Sequence, residues 1–335
     1  MRSTGKKLCS VAALAATAAL VGCSSGITVS FDTERPWHDT GASAAVFAYE
    51  KLGYDVAIYD TSDGTDDESR VKIASGSLVY TLEERPRTDD TAAHTYLDMA
   101  FSVTYNDSAP ELDRGLTDTI TSSTVFRTDS LATSRMEKTV ALADRTGTDN
   151  LSYVIEADYF GTHTAKRIWT KDGTVDTMSV PQSSYNDNEM AIFLARATAL
   201  SAGVSNNFYM TNIFDSFING SFTEYTMVAA AEKSTVSVDI GDWVKDCGVQ
   251  PAKADDDSVI EPRTYPISCY DVNIRTTATK HGPPYRVMYS ENPFKIGEKE
   301  HKKIPVKIQY NQYSGGKVSV VTEYTLTSCA FDKLA

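Results

Sequence analysis

Cysteine and histidine are scarce in this sequence, and the common catalytic and metal-binding motifs are missing. The 335 residues include five cysteines, none of them in a C-x-x-C pair, and five histidines that occur singly. No G-x-S-x-G, H-E-x-x-H, Walker A or G-x-G-x-x-G pattern is present. These absences argue against a redox dithiol, a cysteine zinc site and the familiar nucleotide-binding folds. We therefore predict no catalytic residues, no metal and no cofactor.

Positive charge is also in short supply. The chain has 32 Lys and Arg residues against 45 Asp and Glu residues, for a formal net charge of −13 at pH 7. Phosphate backbones and anionic lipid headgroups are bound by clustered Lys and Arg side chains. The acidic balance therefore predicts that nucleic acid is not a partner.

Long hydrophobic runs are absent after residue 23, and the one before it is short. Leu8 to Gly22 is rich in Ala, Leu and Val and follows the basic residues Arg2, Lys6 and Lys7. A bilayer-spanning helix needs about 20 residues, whereas a run of this length is typical of a signal peptide. We therefore predict that residues 1–22 are a signal peptide, the alternative being a short buried helix of a cytosolic domain.

The end of that run, Leu20-Val21-Gly22-Cys23, resembles a bacterial lipobox. The resemblance implies cleavage before Cys23 and attachment of acyl chains such as palmitate to this residue. Residues 23–26 would then be the lipid anchor and a short tether. Residues 27–335 would form one β-rich extracytoplasmic domain, with 144–150 as the place where it could subdivide. The predicted location is the cell membrane or the outer membrane, and the type of host stays open.

Alternation of apolar and polar residues dominates the rest of the chain. Leu97, Met99, Phe101, Val103 and Tyr105 alternate with polar residues. The same period of two recurs at 236–240, 270–274 and 303–310. Strands with one buried and one wet face are typical of antiparallel sheets. The pattern predicts a mainly β (α+β) protein with a large curved antiparallel sheet or open barrel.

One segment is predicted to be helical, from Glu189 to Ala202. Asn186 and Glu189 have capping-box spacing, and Gly203 provides a stop. Met190, Phe193 and Leu194 fall on one face of this helix, so we expect it to cover the apolar side of the sheet.

The second half of the chain resembles an uncharacterised family of bacterial envelope proteins, a domain of unknown function. The resemblance spans roughly residues 150–328 and rests on the order of four segments, 186–196, 267–270, 284–290 and 304–308. It implies a lipoprotein-carrier-like open β-barrel with a helix plugging its concave side. The family supplies no catalytic residues.

Three cysteines remain after the predicted processing, namely Cys247, Cys269 and Cys329. Disulfides form in extracytoplasmic compartments, and an odd number leaves at least one thiol over. If the strands after residue 234 run as a meander, all three cysteines gather at one rim of the sheet. A Cys247–Cys269 disulfide is one hypothesis. Three unpaired thiols and a bridge involving Cys329 are the alternatives.

Aromatic residues cluster in and after the predicted helix. One interpretation is an apolar pocket between sheet and helix that holds a lipid or other apolar small molecule, and the other is ordinary core packing. The pocket hypothesis rests on Phe193, Phe208, Phe214 and Phe217.

Together these features predict a lipid-anchored protein of the cell envelope that acts as a non-enzymatic binding or assembly factor. Its membrane contact would be the N-terminal lipid, and an envelope protein partner is unknown. The alternative is an envelope-acting hydrolase whose site is built from scattered residues such as His38 and Asp39. Because adjacent strand residues face opposite ways, that dyad would require a turn.

Overall fold

The fold is built almost entirely from strands that pair with their neighbours in sequence. The computed structural model describes residues 38–39, 49–61, 70–86, 93–128, 131–145, 152–180, 186–198, 200, 205–211, 223–239, 253–254, 259, 264–276, 284–296, 299–314 and 316–331. The predicted fold class, a mainly β protein with a large antiparallel sheet and one main helix, is confirmed, although the helix is short.

Eighteen strands occur among the described residues, together with one 3₁₀ turn and one α-helix. The first nine strands are β1 His38–Asp39, β2 Tyr49–Asp60, β3 Val71–Pro86, β4 Ala93–Tyr105, β5 Thr117–Arg127, β6 Thr133–Ala141, β7 Tyr153–Asp158, β8 Thr164–Trp169 and β9 Val175–Ser179. The others are β10 Asn186–Asp187, β11 Ser205–Thr211, β12 Thr223–Val238, β13 Tyr265–Thr276, β14 Tyr285–Ser290, β15 Phe294–Ile296, β16 Lys299–His301, β17 Pro305–Ser314 and β18 Lys317–Phe331. The 3₁₀ turn Asn188–Met190 leads into α1, Ala191–Arg196.

Fifteen of these strands form one sheet in the order β10-β11-β12-β13-β14-β17-β18-β2-β3-β4-β5-β6-β7-β8-β9. All neighbours pair antiparallel except β10 and β11, which are parallel. The last strand, β18, pairs with β2 and so joins the two halves of the chain. Strands β6 and β7, on either side of residues 144–150, also pair directly. The small remaining sheet has the order β1-β16-β15.

The large sheet curls until its β10 end reaches β6. The amide of Asp187 in β10 donates to Thr133 Oγ1 in β6 at 3.0 Å, although eleven places of the strand order separate the two strands. Strands of an open sheet are rotated relative to their neighbours by about 20–25°, which makes such curling possible. The inward-facing residues of the alternating strands, including Leu97, Met99 and Phe101, form one buried core.

The sequence predicts hairpin turns at Asp63-Gly64, Asp172-Gly173 and Gly315-Gly316, each between strand-like segments. The second of these and Gly316 of the third lie in the described part of the chain. Asp172-Gly173 connects β8 to β9, and Gly316 precedes β18, with φ values of 69° at Gly173 and 81° at Gly316. Glycine adopts this left-handed conformation without steric cost. The first predicted turn, Asp63-Gly64, lies outside the described residues.

Gly76 is required by the close packing of β3 on β4. A Cβ atom at this position would lie 1.9 Å from the carbonyl oxygen of Ser102 and 2.7 Å from Val103 Cα, both rigid backbone atoms. Gly53 is a matched comparison, since its Cβ would meet the rotatable hydroxyl of Ser328 at 2.2 Å.

We therefore expect Gly76→Ala to destabilise the protein by about 1–3 kcal/mol, because backbone has to move, and Gly53→Ala to cost less. The midpoints of urea unfolding measure both effects. Equal midpoints for the two variants would contradict this explanation.

Candidate functional site

The chain segment 186–198, which we call the plug, crosses the concave side of the curled sheet. It comprises β10, the 3₁₀ turn and α1. The predicted helix from Glu189 to Ala202 is therefore too long, since the α-helix ends at Arg196 and begins only at Ala191. The amide of Glu189 is capped by Asp187 Oδ1 at 3.0 Å, so Asp187 rather than Asn186 starts the turn.

All six residues of α1 are buried, including Arg196. This differs from the predicted amphipathic helix, which would keep one face in water. The reason is that the curled sheet surrounds the segment. Polar groups on the plug must then find partners inside the protein, because burying a charge without a partner is costly.

At the C-terminal end of the plug, Arg196 forms a two-pronged ion pair with Glu50 at the start of β2. Nη1 and Nη2 of Arg196 donate to the two carboxylate oxygens at 2.7 and 3.1 Å, and Nη2 also donates to the carbonyl of Lys302 at 2.8 Å. His301 Nδ1 lies 3.2 Å from Glu50 Oε2. The side chains of Arg196 and Glu50 are 0% and 1% exposed.

The pKa of Glu50 shows which effect dominates in this pair. Burial alone would raise that pKa, but the charge of Arg196 and the hydrogen bonds from Arg196 and His301 lower it to about 2. The attraction therefore outweighs desolvation, and Glu50 is ionised throughout the physiological pH range.

At the N-terminal end of the plug lies a second buried cluster, formed by Asp187, Glu189, Lys138, Ser122 and Tyr159. Lys138 Nζ in β6 donates to Glu189 Oε1 at 2.5 Å, and Ser122 Oγ in β5 is 3.4 Å from Glu189 Oε2. Tyr159, which follows β7, donates its hydroxyl proton to Asp187 Oδ2 at 2.6 Å. This cluster ties the plug to β5, β6 and the end of β7.

The pKa values of Lys138 and Asp187 in this cluster are both raised, but by different causes. Burial of Lys138 acts to lower its pKa, but the negative charge of Glu189 more than compensates, so the pKa of Lys138 is raised. For Asp187, burial and the nearby charge of Glu189 raise the pKa to about 7, despite the hydrogen bonds from Tyr159 and the Glu189 amide. Asp187 is thus a carboxyl group that titrates near neutrality.

The middle of the plug is held by aromatic and backbone contacts. Phe193 packs edge-to-face against Tyr80 of β3, with ring centroids 5.0 Å apart. The hydroxyl of Tyr289 in β14 donates to the carbonyl of Ile192 at 2.6 Å. Of the predicted pocket residues, Phe193 is thus part of the core cluster. The backbone of Phe208 belongs to β11, and Phe214 and Phe217 lie outside the described residues, so the pocket stays a prediction.

A cavity of about 300 Å³ lies on the outer side of β6, β7 and β8. Outward side chains in its lining include Arg135, Glu137, Glu156 and Lys166. Glu137 and Glu156 are paired directly across β6 and β7. Because the charges are solvated and the groove is open, it favours neither an apolar ligand nor catalysis.

The described cysteines are Cys269 and Cys329, and they do not form a disulfide with each other. Cys269 is fully buried, which raises the pKa of its thiol to about 12. Its strand pairs with the end of β14, and Cys329 is near the end of β18, so both residues lie toward the same rim of the sheet. Cys23 and Cys247 lie outside the described residues. Lipidation of Cys23 and the Cys247–Cys269 disulfide therefore stay predictions.

A buried thiol of high pKa is a poor nucleophile. We therefore expect Cys269, if unpaired, to react with a thiol reagent only after unfolding, more slowly than the partly exposed Cys329. Counting thiols on the native and on the denatured, non-reduced protein measures this. A Cys247–Cys269 bridge would instead leave Cys269 unreactive even in denaturant, and Cys269→Ser would then free one additional thiol.

His38 and Asp39, the residues of the alternative hydrolase hypothesis, form the two-residue strand β1. His38 pairs with His301 and Asp39 with Glu300 of β16. The backbone is therefore extended at this dipeptide and lacks the turn that a dyad of adjacent residues would require. Across the described ranges of the chain, no group of three or more His, Cys, Asp and Glu residues is arranged to hold a metal ion.

The two charge clusters of the plug were not predicted from the sequence. Glu50, Lys138 and Arg196 have no sequence signal that distinguishes them from solvent-exposed charges. Asp187 and Glu189 lie in a segment whose sequence pattern indicates only the start of a helix. What identifies all five is burial, which depends on the curl of the sheet.

Comparison with known proteins adds little to this description. No family model matches the chain, and no curated protein sequence matches it. A solved structure with a similar fold is the beta-barrel-like protein of domain of unknown function DUF1849 from Brucella abortus. It has 13% sequence identity and a TM-score of 0.45, and the match covers 85% of this chain and 98% of that chain. None of the described helices is long and apolar enough to cross a bilayer.

Proposed function

We propose that this protein is a lipid-anchored component of the cell envelope that acts as a non-enzymatic binding or assembly factor. Its lipid would be carried by Cys23, and its ligand would be an apolar molecule held between the sheet and the plug. The proposal extends the resemblance to envelope proteins noted from the sequence.

The observation that carries the non-enzymatic part is the pairing of the buried charges. Each buried charged side chain in the described part of the chain has a partner inside the protein, as in the pairs Glu50–Arg196, Lys138–Glu189 and Asp118–Arg145. Active sites instead concentrate perturbed titratable groups in a cleft that a substrate can enter. Here Glu50, Lys138 and Asp187, whose pKa values are shifted, take part in contacts that bind the plug to the sheet.

The anchoring part is supported by the signal-like N-terminus and the lipobox-like Leu20-Val21-Gly22-Cys23. One acyl chain gives marginal membrane attachment, and two or more give durable attachment. The small sheet β1-β16-β15 is also relevant to the anchor, because β1 begins 15 residues after Cys23 and pairs with β16. A connection of this length reaches at most about 50 Å, which sets an upper limit on the distance between this small sheet and the lipid surface.

Metabolic labelling with an alkyne analogue of palmitate tests the anchor. The wild-type protein is expected to carry label and to fractionate with membranes, and Cys23→Ala to lose both properties. Cys9→Ala is a matched control, since this cysteine lies inside the predicted signal peptide and should leave labelling unchanged. An unlabelled wild-type protein, or a labelled Cys23→Ala variant, would overturn the anchor.

A photoreactive fatty acid that carries a diazirine tests the apolar ligand. We expect cross-links in peptides of the plug or of the concave face, such as those containing Phe193 or Tyr80, and competition by unmodified palmitate. Cross-links confined to the outer groove around Glu137 and Glu156, or no competable cross-links, would argue against an apolar ligand beneath the plug.

A further inference from the structure

The cluster at the N-terminal end of the plug has an imbalance of charge. Two carboxyl groups, Asp187 and Glu189, face a single ammonium group, that of Lys138. The side chains of Lys138 and Glu189 are 2% and 7% exposed, and Asp187 as a whole residue is 1% exposed. With both carboxyls ionised, the buried cluster therefore holds one negative charge without a counterion.

We propose that Asp187 is a pH-sensitive latch, which holds the plug on the sheet when it is protonated and loosens the plug when it ionises. This is a conformational device and does not depend on lipid attachment or on the identity of any ligand.

The groups that face Asp187 and Glu189 come from β5, β6, the end of β7 and β11, and β5 supplies the uncharged Ser122. From β6 come Lys138 and the uncharged Thr133, whose hydroxyl accepts from the Asp187 amide. From the end of β7 comes Tyr159, and Tyr153 of the same strand acts on Lys138. The paired positions of β11, Met210 and Thr211, are not ionisable residues. Lys138 is thus the one cation among these groups, and Glu189 already binds it.

The sign of the effect follows from linkage. The pKa of Asp187 is about 7 with the plug in place, against an ordinary value of 3.8. A carboxyl group with a raised pKa binds its proton more tightly in the closed state than in an open, hydrated one. Its contribution to closure is therefore present at acidic pH and is lost as the pH rises from about 4 through 7.

The opposite end of the plug provides an internal contrast. There Glu50 is matched by Arg196, and the pKa of Glu50 is lowered to about 2. That pair contributes stability above about pH 4.5 and loses it only as the pH falls toward 2. Between pH 5 and pH 8, the stability contributed by the N-terminal cluster is expected to change, whereas that contributed by the Glu50–Arg196 pair is expected to stay constant.

Hydrogen exchange of the full chain at pH 5 and pH 8, corrected for the intrinsic exchange rate, tests the latch. The equilibrium constant for plug opening is expected to rise about a hundredfold between these pH values, given the difference between the two pKa values. The readout is the protection of peptides within 188–198, with peptides of β4 as reference. At pH 8 the plug should be less protected than β4, which would show local opening.

Two variants separate the latch from a general effect of pH. Asp187→Asn keeps the side-chain shape and removes the ionisation, so its plug protection should not change between pH 5 and pH 8. Glu189→Gln leaves one carboxyl group for one ammonium group, so the pH at which the plug loses protection should be lower. This variant tests the latch if Asp187→Asn does not fold. The latch is overturned if Asp187→Asn retains the wild-type pH response, if Glu189→Gln is unshifted, or if plug and β4 change in step.

Discussion

Replacing Arg196 with methionine should lower the free energy of unfolding by about 3–5 kcal/mol at pH 7. The substitution keeps most of the side-chain volume but removes the guanidinium group that donates to Glu50 and to the Lys302 carbonyl. Glu50 then stays buried with only His301 as a partner. An uncompensated buried charge costs far more than the loss of an exposed ion pair. Urea unfolding followed by circular dichroism measures the change.

Arg85→Met is the matched control for this prediction. Arg85 also pairs with a glutamate, Glu83, but its side chain is 44% exposed. Exposed ion pairs contribute about 0–1 kcal/mol, so this variant should be close to the wild type. Adding Glu50→Gln to Arg196→Met should recover part of the loss, since it removes the unpaired charge. If Arg196→Met costs no more than Arg85→Met, the buried pair does not hold the plug.

The pH dependence of the Arg196→Met variant provides a second signature. Without the arginine, the desolvation of Glu50 is no longer outweighed, and the folded-state pKa of that carboxyl is expected to rise above its ordinary value of 4.5. A raised carboxyl pKa gives stability that is present at low pH and lost as the pH rises. The deficit relative to the wild type should therefore shrink between pH 7 and pH 5.

The second large effect is expected for Phe193→Ala, which should also cost about 3–5 kcal/mol. Phe193 is a buried residue of α1, and its ring packs against Tyr80 with the two ring centroids 5.0 Å apart. Truncation removes this contact and leaves a cavity that the hydrogen bond from the Tyr289 hydroxyl to the Ile192 carbonyl prevents from collapsing. The change in the urea midpoint, with the slope of the transition unchanged, measures the loss of stability.

Phe160→Ala is the control for this packing prediction. Phe160 lies in the turn between β7 and β8 and is 48% exposed, so its removal should change stability by no more than about 0.5 kcal/mol. If the loss for Phe193→Ala falls to the level of Phe160→Ala, the plug does not contribute to the core. Binding of an apolar molecule in the vacated space would appear as stabilisation of Phe193→Ala by added palmitate.

The strands could be predicted from the sequence because each carries its own local signal. The alternating residues from Leu97 to Tyr105 lie in β4, and those of 270–274 lie in β13. The order β12-β13-β14-β17-β18 is the predicted meander, in which strands close in sequence pair with one another. Strands that follow one another along the chain pair readily because closing the connection between them costs less conformational entropy than joining distant segments.

The helix and its charge clusters could not be predicted in the same way. The apolar residues beyond Arg196 favour a longer helix, but a six-residue helix is formed where the chain passes inside the sheet. The amide of Glu189 is capped by Asp187 and not by Asn186, because the buried segment begins its 3₁₀ turn one residue later than the capping-box pattern predicts. Tertiary packing overrides local propensity at such a site.

By itself, then, the amino-acid sequence determined the alternation that makes strands, the glycine turns between them and the acidic balance of the chain. The tertiary structure alone decided which charges are buried. Glu50 and Arg196 are 146 residues apart, and Lys138 and Glu189 are 51 residues apart. No local pattern connects such pairs. They meet because the sheet curls around the plug. In this environment of low polarity an unpaired charge is costly, and an ion pair with satisfied hydrogen bonds holds the plug to the sheet.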